Sequence, residues 1–159
     1  METKHMISLL VENNAGVLSR IAGLFTRRGY NIDSLTVGET QNPRNSRMTI
    51  VMTCDEAALE QIKKQFNKLI EVIKVTELSY DNALTRELIL VKLEADEEVR
   101  SRVIEIANIF RARIIDVTPG TLTVEMTGDE VKISGFLEMV RPFGVLELVR
   151  SGFCGIERG

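Results

Sequence analysis

The strongest constraint on this chain is that one pattern of strands and helices is written in it twice. Residues 6–11 read as a strand, and Val17, Leu18, Ile21, Ala22, Leu24 and Phe25 then recur at helical spacing. Gly29 ends that helix, where glycine is the usual cap. Residues 31–40 read as a second strand, 41–45 as a polar turn and 48–53 as a third strand. Asp55 precedes a helical face of Ala58, Leu59, Ile62, Phe66 and Leu69, and residues 71–78 close the unit as a strand.

The second half repeats the order. Residues 88–93 form a strand, and Val99, Val103, Ile106, Ala107 and Phe110 mark a helix. Strands 113–117 and 122–127 meet at a Pro119-Gly120 turn. A helix opens at Asp129 and carries Val131, Phe136, Leu137 and Val140, and residues 144–149 are the last strand. Residues 79–85 have the polar look of a short linker. The expectation is an α+β chain of two tandem ferredoxin-like βαββαβ domains, residues 1–79 and 80–159. Each is a four-stranded antiparallel sheet with two helices on one face. The repeat period of about 80 residues is too long for a solenoid.

The first strand adds a clue. Ile7, Leu9 and Val11 are apolar, but so are Met6 and Leu10 on the other side. A sheet wet on one face alternates more cleanly, so something covers the second face, either another subunit or the companion domain. Self-association is the expectation, because soluble oligomers are usually symmetric homo-oligomers.

Catalysis fares poorly. His5 is the single histidine of the 159 residues and stands at an N-terminal end expected to fray, which argues against a His-based triad and excludes a multi-histidine metal site by count. There is no Cys-x-x-Cys pair, no Gly-x-Gly-x-x-Gly and no phosphate-binding Gly-Lys-Ser/Thr loop. Glu94, Asp96, Glu97 and Glu98 read as an acid-rich first helical turn, and Asp33 and Asp116 as matched strand-end residues. The expectation is a chain with no catalytic residue, no metal and no cofactor of its own. Cys54 and Cys154 read as buried or idle thiols. A net charge of -3 and 5% aromatic residues argue against nucleic acid, since RNA modules of this topology stack bases on aromatic strands. No apolar run spans a bilayer, and residues 1–5 lack a signal peptide's layout, so the expected location is cytoplasmic with no membrane partner.

The junction of the first strand and helix holds Asn13, Asn14 and Gly16. Two readings stand. Asn13 or Asn14 caps the helix and Gly16 eases the turn. Alternatively, Gly16 leaves room for a small carboxylate on the amides of residues 15–18, because a helix N-terminus favours an anion. Asn13 and Asn31 then supply amide side chains, and Val17, Leu18 and Ile32 an apolar wall.

The run LVENNAGVLSRIAGLFTRRGYNIDSLTV at residues 10–37 resembles the regulatory small subunit of acetolactate synthase (acetohydroxyacid synthase), whose N-terminal half is an ACT domain. The resemblance continues through residues 46–50, 59–69, 75–78, 86–92, 109–119 and 149–152, and so covers essentially the whole chain. It implies a subunit that is not an enzyme by itself. Such subunits bind the large catalytic subunit, raise its activity and confer feedback inhibition by a branched-chain amino acid, most often valine. Thiamine diphosphate, Mg²⁺ and FAD belong to that catalytic partner. The resemblance further implies a homodimer through the ACT domain, with the small amino-acid effector at the pair interface. Carried over by position, the effector site is Asn13, Asn14, Ala15, Gly16, Val17 and Leu18 with Asn31 and Ile32, and Ser19 and Gly38 lie close enough to affect it. The C-terminal domain is implied to contact the catalytic subunit. The competing reading is a stand-alone ACT-domain amino-acid sensor acting on another enzyme or on transcription.

Overall fold

A computed structural model describes residues 1–159 and divides them into two units, residues 1–84 with 153–159, and residues 85–152. In the first unit the elements are β1 (Thr3–Glu12), α1 (Val17–Arg28), β2 (Ile32–Glu39), β3 (Asn45–Cys54), α2 (Glu56–Asn67) and β4 (Val72–Leu78). They form an antiparallel sheet of order β2-β3-β1-β4. Alternation sets the register. Ile7 pairs with Ile50 and Leu9 with Met48, so one face of both central strands is apolar. That face packs on Val17, Ile21, Leu24 and Phe25 of α1 and on Leu59, Ile62 and Phe66 of α2. The rings of Phe25 and Phe66 meet at 5.8 Å across the two helices. His5 lies within β1, opposite Met52, and not on a loose end.

The second unit repeats the plan with β5 (Ala83–Glu94), α3 (Glu97–Ile109), β6 (Arg113–Val117), β7 (Thr121–Gly128), α4 (Glu130–Val140) and β8 (Val145–Arg150), in sheet order β6-β7-β5-β8. Ile89, Val91 and Leu93 pack with Leu122, Val124 and Met126 beneath Val103, Ala107, Ile133, Phe136 and Val140. The rings of Phe110 and Phe136 meet edge to face at 5.5 Å. Both units are therefore ferredoxin-like, as the doubled pattern predicts.

Two boundaries differ from the sequence reading. The expected linker at residues 79–85 shrinks to a tight turn. The Asn82 side chain accepts from Ser79 N–H at 2.7 Å, the Ser79 hydroxyl accepts from Asn82 N–H at 3.2 Å, and β5 begins at once. A short ninth strand, β9 (Cys154–Glu157), pairs with β5 and belongs to the first unit rather than to residues 80–159.

That segment also meets the face of the first sheet away from the helices. Phe153, only 7% exposed, hydrogen-bonds Ser34 and Thr36, which pair with Val51 and Thr49 on the side of the sheet away from the helices. Ser8, Thr49 and Val51 are accordingly buried although they do not face the helical core. The segment at Phe153 thus lies on Ser34 and Thr36 on this face of the sheet.

Cys54 is 4% exposed, and burial foremost, with the nearby Asp55 carboxylate second, pushes its thiol pKa upward, whereas Cys154 is exposed. In the folded chain Cys154 should react with a thiol reagent at least about tenfold faster than Cys54, because the thiolate is the reacting form. The two rates should converge in denaturant. Two equally fast thiols under native conditions would contradict the burial of β3.

Candidate functional site

The end of β1 is fastened to the β2–β3 hairpin. Asn13 N–H donates to the Arg44 carbonyl at 2.7 Å, and its side-chain Nδ2 donates to the Pro43 carbonyl at 3.1 Å and to Glu39 Oε1 at 3.4 Å. Asn14 Nδ2 donates to Glu12 Oε2 at 3.0 Å. Both amides are thus used as donors to groups outside the helix, and neither caps it. The N-cap of α1 is Gly16, with φ 88° and ψ −9° and no side-chain cap bond. This left-handed backbone is why glycine stands there, since a Cβ costs about 1–2 kcal/mol in that region.

The other three helices are built differently. Asp55, Asp96 and Asp129 each accept amide N–H bonds at the start of α2, α3 and α4, and each of those helices has an acid in its first turn. Helix α1 has no acid in its first turn. Its first-turn amides and dipole end are therefore not neutralised by the chain's own carboxylates. Arg20 adds a cation: its guanidinium nitrogen lies 3.8 Å from where a Cβ on Gly16 would sit, and its Nε is 3.5 Å from Glu71 Oε2.

The eight site residues named from the sequence are not all in one place. Asn13, Asn14, Ala15 and Gly16 are exposed at the junction, and Leu18 is 46% exposed beside them. Val17 is a correction, because it is 3% exposed and packs into the helical core instead of forming a ligand wall. Exposed Asn31 and half-buried Ile32 lie at the other end of the sheet. Ile32 pairs with Met52, which pairs with His5, whereas the junction follows Glu12 opposite Asn45. Seven strand residues separate those levels, about 23 Å at 3.3 Å per residue. Ser19 is exposed on the first turn of α1, and Gly38 sits beside Arg47 near the junction end of β2.

Sequence reasoning missed Glu39, Pro43 and Arg44, which hold Asn13 in place. Their contacts are set by the hairpin's path, which no local pattern announces. Asp33 accepts from the Thr53 hydroxyl at 2.6 Å, a strand-to-strand role. No group of three or more His, Cys, Asp or Glu side chains is placed to hold a metal ion.

The corresponding junction of the second unit shows the contrast. A concavity of about 720 Å³ is lined there by Asp96, Glu97, Glu98, Arg100, Val117, Thr118 and Pro119. Its helix end is taken by the Asp96 carboxylate, which accepts from the N–H groups of Glu98 and Val99 at 3.0 and 3.2 Å. Arg100 is turned to the Thr118 and Pro119 carbonyls at 3.0 and 3.1 Å. The acidic lining and the filled helix end suit no carboxylate ligand.

Comparison with known proteins agrees along the whole chain. Residues 7–74 match the AHAS small subunit-like ACT domain, and residues 86–159 match the family described as small subunit of acetolactate synthase. The chain is 54% identical over 156 residues to the probable acetolactate synthase small subunit of Methanothermobacter thermautotrophicus, covering 98% of this chain and 93% of that one. It is 54% identical over 155 residues to the acetolactate synthase small subunit of Mycobacterium leprae, covering 98% and 92%. The crystal structure of the acetolactate synthase small subunit from Thermotoga maritima superposes with a TM-score of 0.89 at 38% identity, covering 99% of this chain and 98% of that one. The chain thus belongs to the acetolactate synthase small subunit family.

Proposed function

We propose that this chain is a non-catalytic regulatory subunit that binds valine, or a related branched-chain amino acid, between the N-terminal domains of two copies. Through that site it sets the activity of the thiamine-diphosphate-dependent catalytic subunit of acetolactate synthase, whose cofactors lie in the partner. Branched-chain amino-acid synthesis is then throttled by its own product.

The observation that carries this reading is the separation of the two halves of the site along β2. Strand β2 is an edge of its sheet, with one side unpaired. A twofold axis through its middle pairs it antiparallel with β2 of a second copy. Ile32 of one copy then lies opposite Glu39 of the other, next to the residue that holds Asn13. What is about 23 Å apart within one chain becomes adjacent across two. The effector's carboxylate sits on the open amides of α1, its ammonium faces the Asn13 and Asn31 amides, and Leu18 with Ile32 encloses its side chain.

Gly16→Asp tests the carboxylate seat. Like charges 4 Å apart repel by roughly 4 kcal/mol at an effective dielectric near 20, and Arg20 offsets part of this. Valine affinity measured by calorimetry should fall at least about a hundredfold. Gly16→Ala adds the same left-handed strain without charge, so it should cost about 1–2 kcal/mol of stability and much less affinity. Near-normal valine binding by Gly16→Asp would sink the seat.

The partner is tested by reconstitution. Adding this chain to the purified catalytic subunit should raise its turnover and make it valine-sensitive. A catalytic subunit indifferent to the chain would overturn the assignment of its partner.

A further inference from the structure

Arg20 stands where helix electrostatics disfavour it. It is the fourth residue of α1, beside the positive end of the helix dipole, and the first turn of α1 holds no acid to offset it. Long helical side chains lean toward the N-terminus of their helix, because Cα–Cβ bonds tilt that way. The Arg20 guanidinium does so, and its Nη2 comes to 3.8 Å from where a Cβ on Gly16 would sit.

The other side of the guanidinium is held. Glu71 Oε2 is closed off from solvent and accepts no hydrogen bond, and its cation is Arg20 Nε at 3.5 Å. The Glu71 backbone is fixed in turn, since its carbonyl accepts the Glu12 N–H at 2.8 Å at the end of β1. Neither outer nitrogen of Arg20 donates to the chain, and the side chain is 52% exposed. An ion pair so open on one side adds little stability, so a tie between α1 and the start of β4 does not account for a cation at this helix end.

Arg100 is the internal control. It holds the same fourth position on α3, but its Nη2 donates to the Thr118 and Pro119 carbonyls at 3.0 and 3.1 Å. Asp96, Glu97 and Glu98 surround that helix start with acids of the chain itself. Where α3 occupies its arginine internally, α1 leaves the outer nitrogens of Arg20 open beside Gly16.

We propose that Arg20 selects the effector for its carboxylate. Its outer guanidinium nitrogens take the carboxylate of the amino acid, and Glu71 holds Nε on the opposite side. A guanidinium edge presents two parallel N–H donors, which match the two oxygens of a carboxylate. The inference rests on the effector site proposed above and names the residue that sets the chemical class of its ligand.

The test sets valine against valinamide, which keeps the side chain and the ammonium but carries a neutral amide in place of the carboxylate. Both affinities are read by calorimetry on the whole chain. The unsubstituted chain should bind valine at least about tenfold more tightly than valinamide. Arg20→Gln should lower valine affinity roughly 10- to 100-fold and leave valinamide within about threefold, so that the preference shrinks. Arg20→Lys keeps the charge without the fork and should recover part of the loss. Glu71→Gln keeps an acceptor for Nε and should bind valine within about threefold of the unsubstituted chain. An equal fall for both ligands in Arg20→Gln would overturn the proposal, because a purely structural tie disturbs the site whatever the ligand's charge. So would unchanged valine binding in Arg20→Gln, or matched losses in Arg20→Gln and Glu71→Gln. Where valinamide binds too weakly to register, the comparison of those two variants decides. An unsubstituted chain that binds no valine would instead overturn the effector site itself.

Discussion

Everything in the proposed site depends on one backbone constraint: the chain enters α1 through a left-handed glycine and then runs the full length of the sheet before β2 begins. Helix α1 has 12 residues, about 18 Å of rise. It therefore delivers Asn31 and Ile32 to the end of the sheet opposite the Asn13–Gly16 junction. Antiparallel β2 returns along the sheet and finishes at Glu39, beside Asn13. Within one chain the two halves cannot meet. A twofold pairing of edge strands is a simple operation that joins them, and it generates two equal sites at once.

The chain's own carboxylates mark the difference between its domains. Asp96 fills the helix end in the second domain, as Asp55 and Asp129 fill theirs on α2 and α4. Only at α1 is the position given to a glycine whose φ of 88° also discourages replacement. Of the four α-helices only α1 thus begins without a side-chain carboxylate of the chain as its cap. At the corresponding junction of the second domain the Asp96 carboxylate holds the place that the proposed function gives to the effector's carboxylate.

The doubled helix and strand pattern was legible in the sequence because the apolar face of each element recurs at its own period, as in Ile7, Leu9 and Val11 or Leu59, Ile62 and Phe66. The junction could be located too, since Gly16 breaks the pattern between strand and helix. Its chemistry was less legible. Which amide an asparagine bonds depends on where the β2–β3 hairpin passes, so the reading of Asn13 or Asn14 as a cap could not be separated from the other by spacing alone. Val17 looked available because it is the first apolar residue after the glycine, yet its position on α1 turns it inward. Phe153 was invisible for a further reason. A four-residue strand after Gly152 carries no periodic signal, and its burial comes from contacts 117 and 119 residues away in sequence.

The central claim is that each effector site is assembled from two copies. It is tested most directly by mixing two defective subunits, Gly16→Asp and Asn31→Leu. Each variant alone disables both sites of its own dimer. In a mixed dimer both defects fall in one site, and the other site receives an intact junction and an intact Asn31. Equal mixing should therefore restore high-affinity valine binding to about one site in four. No recovery on mixing, with exchange of subunits confirmed, would show that a single chain supplies the whole site and would contradict the account.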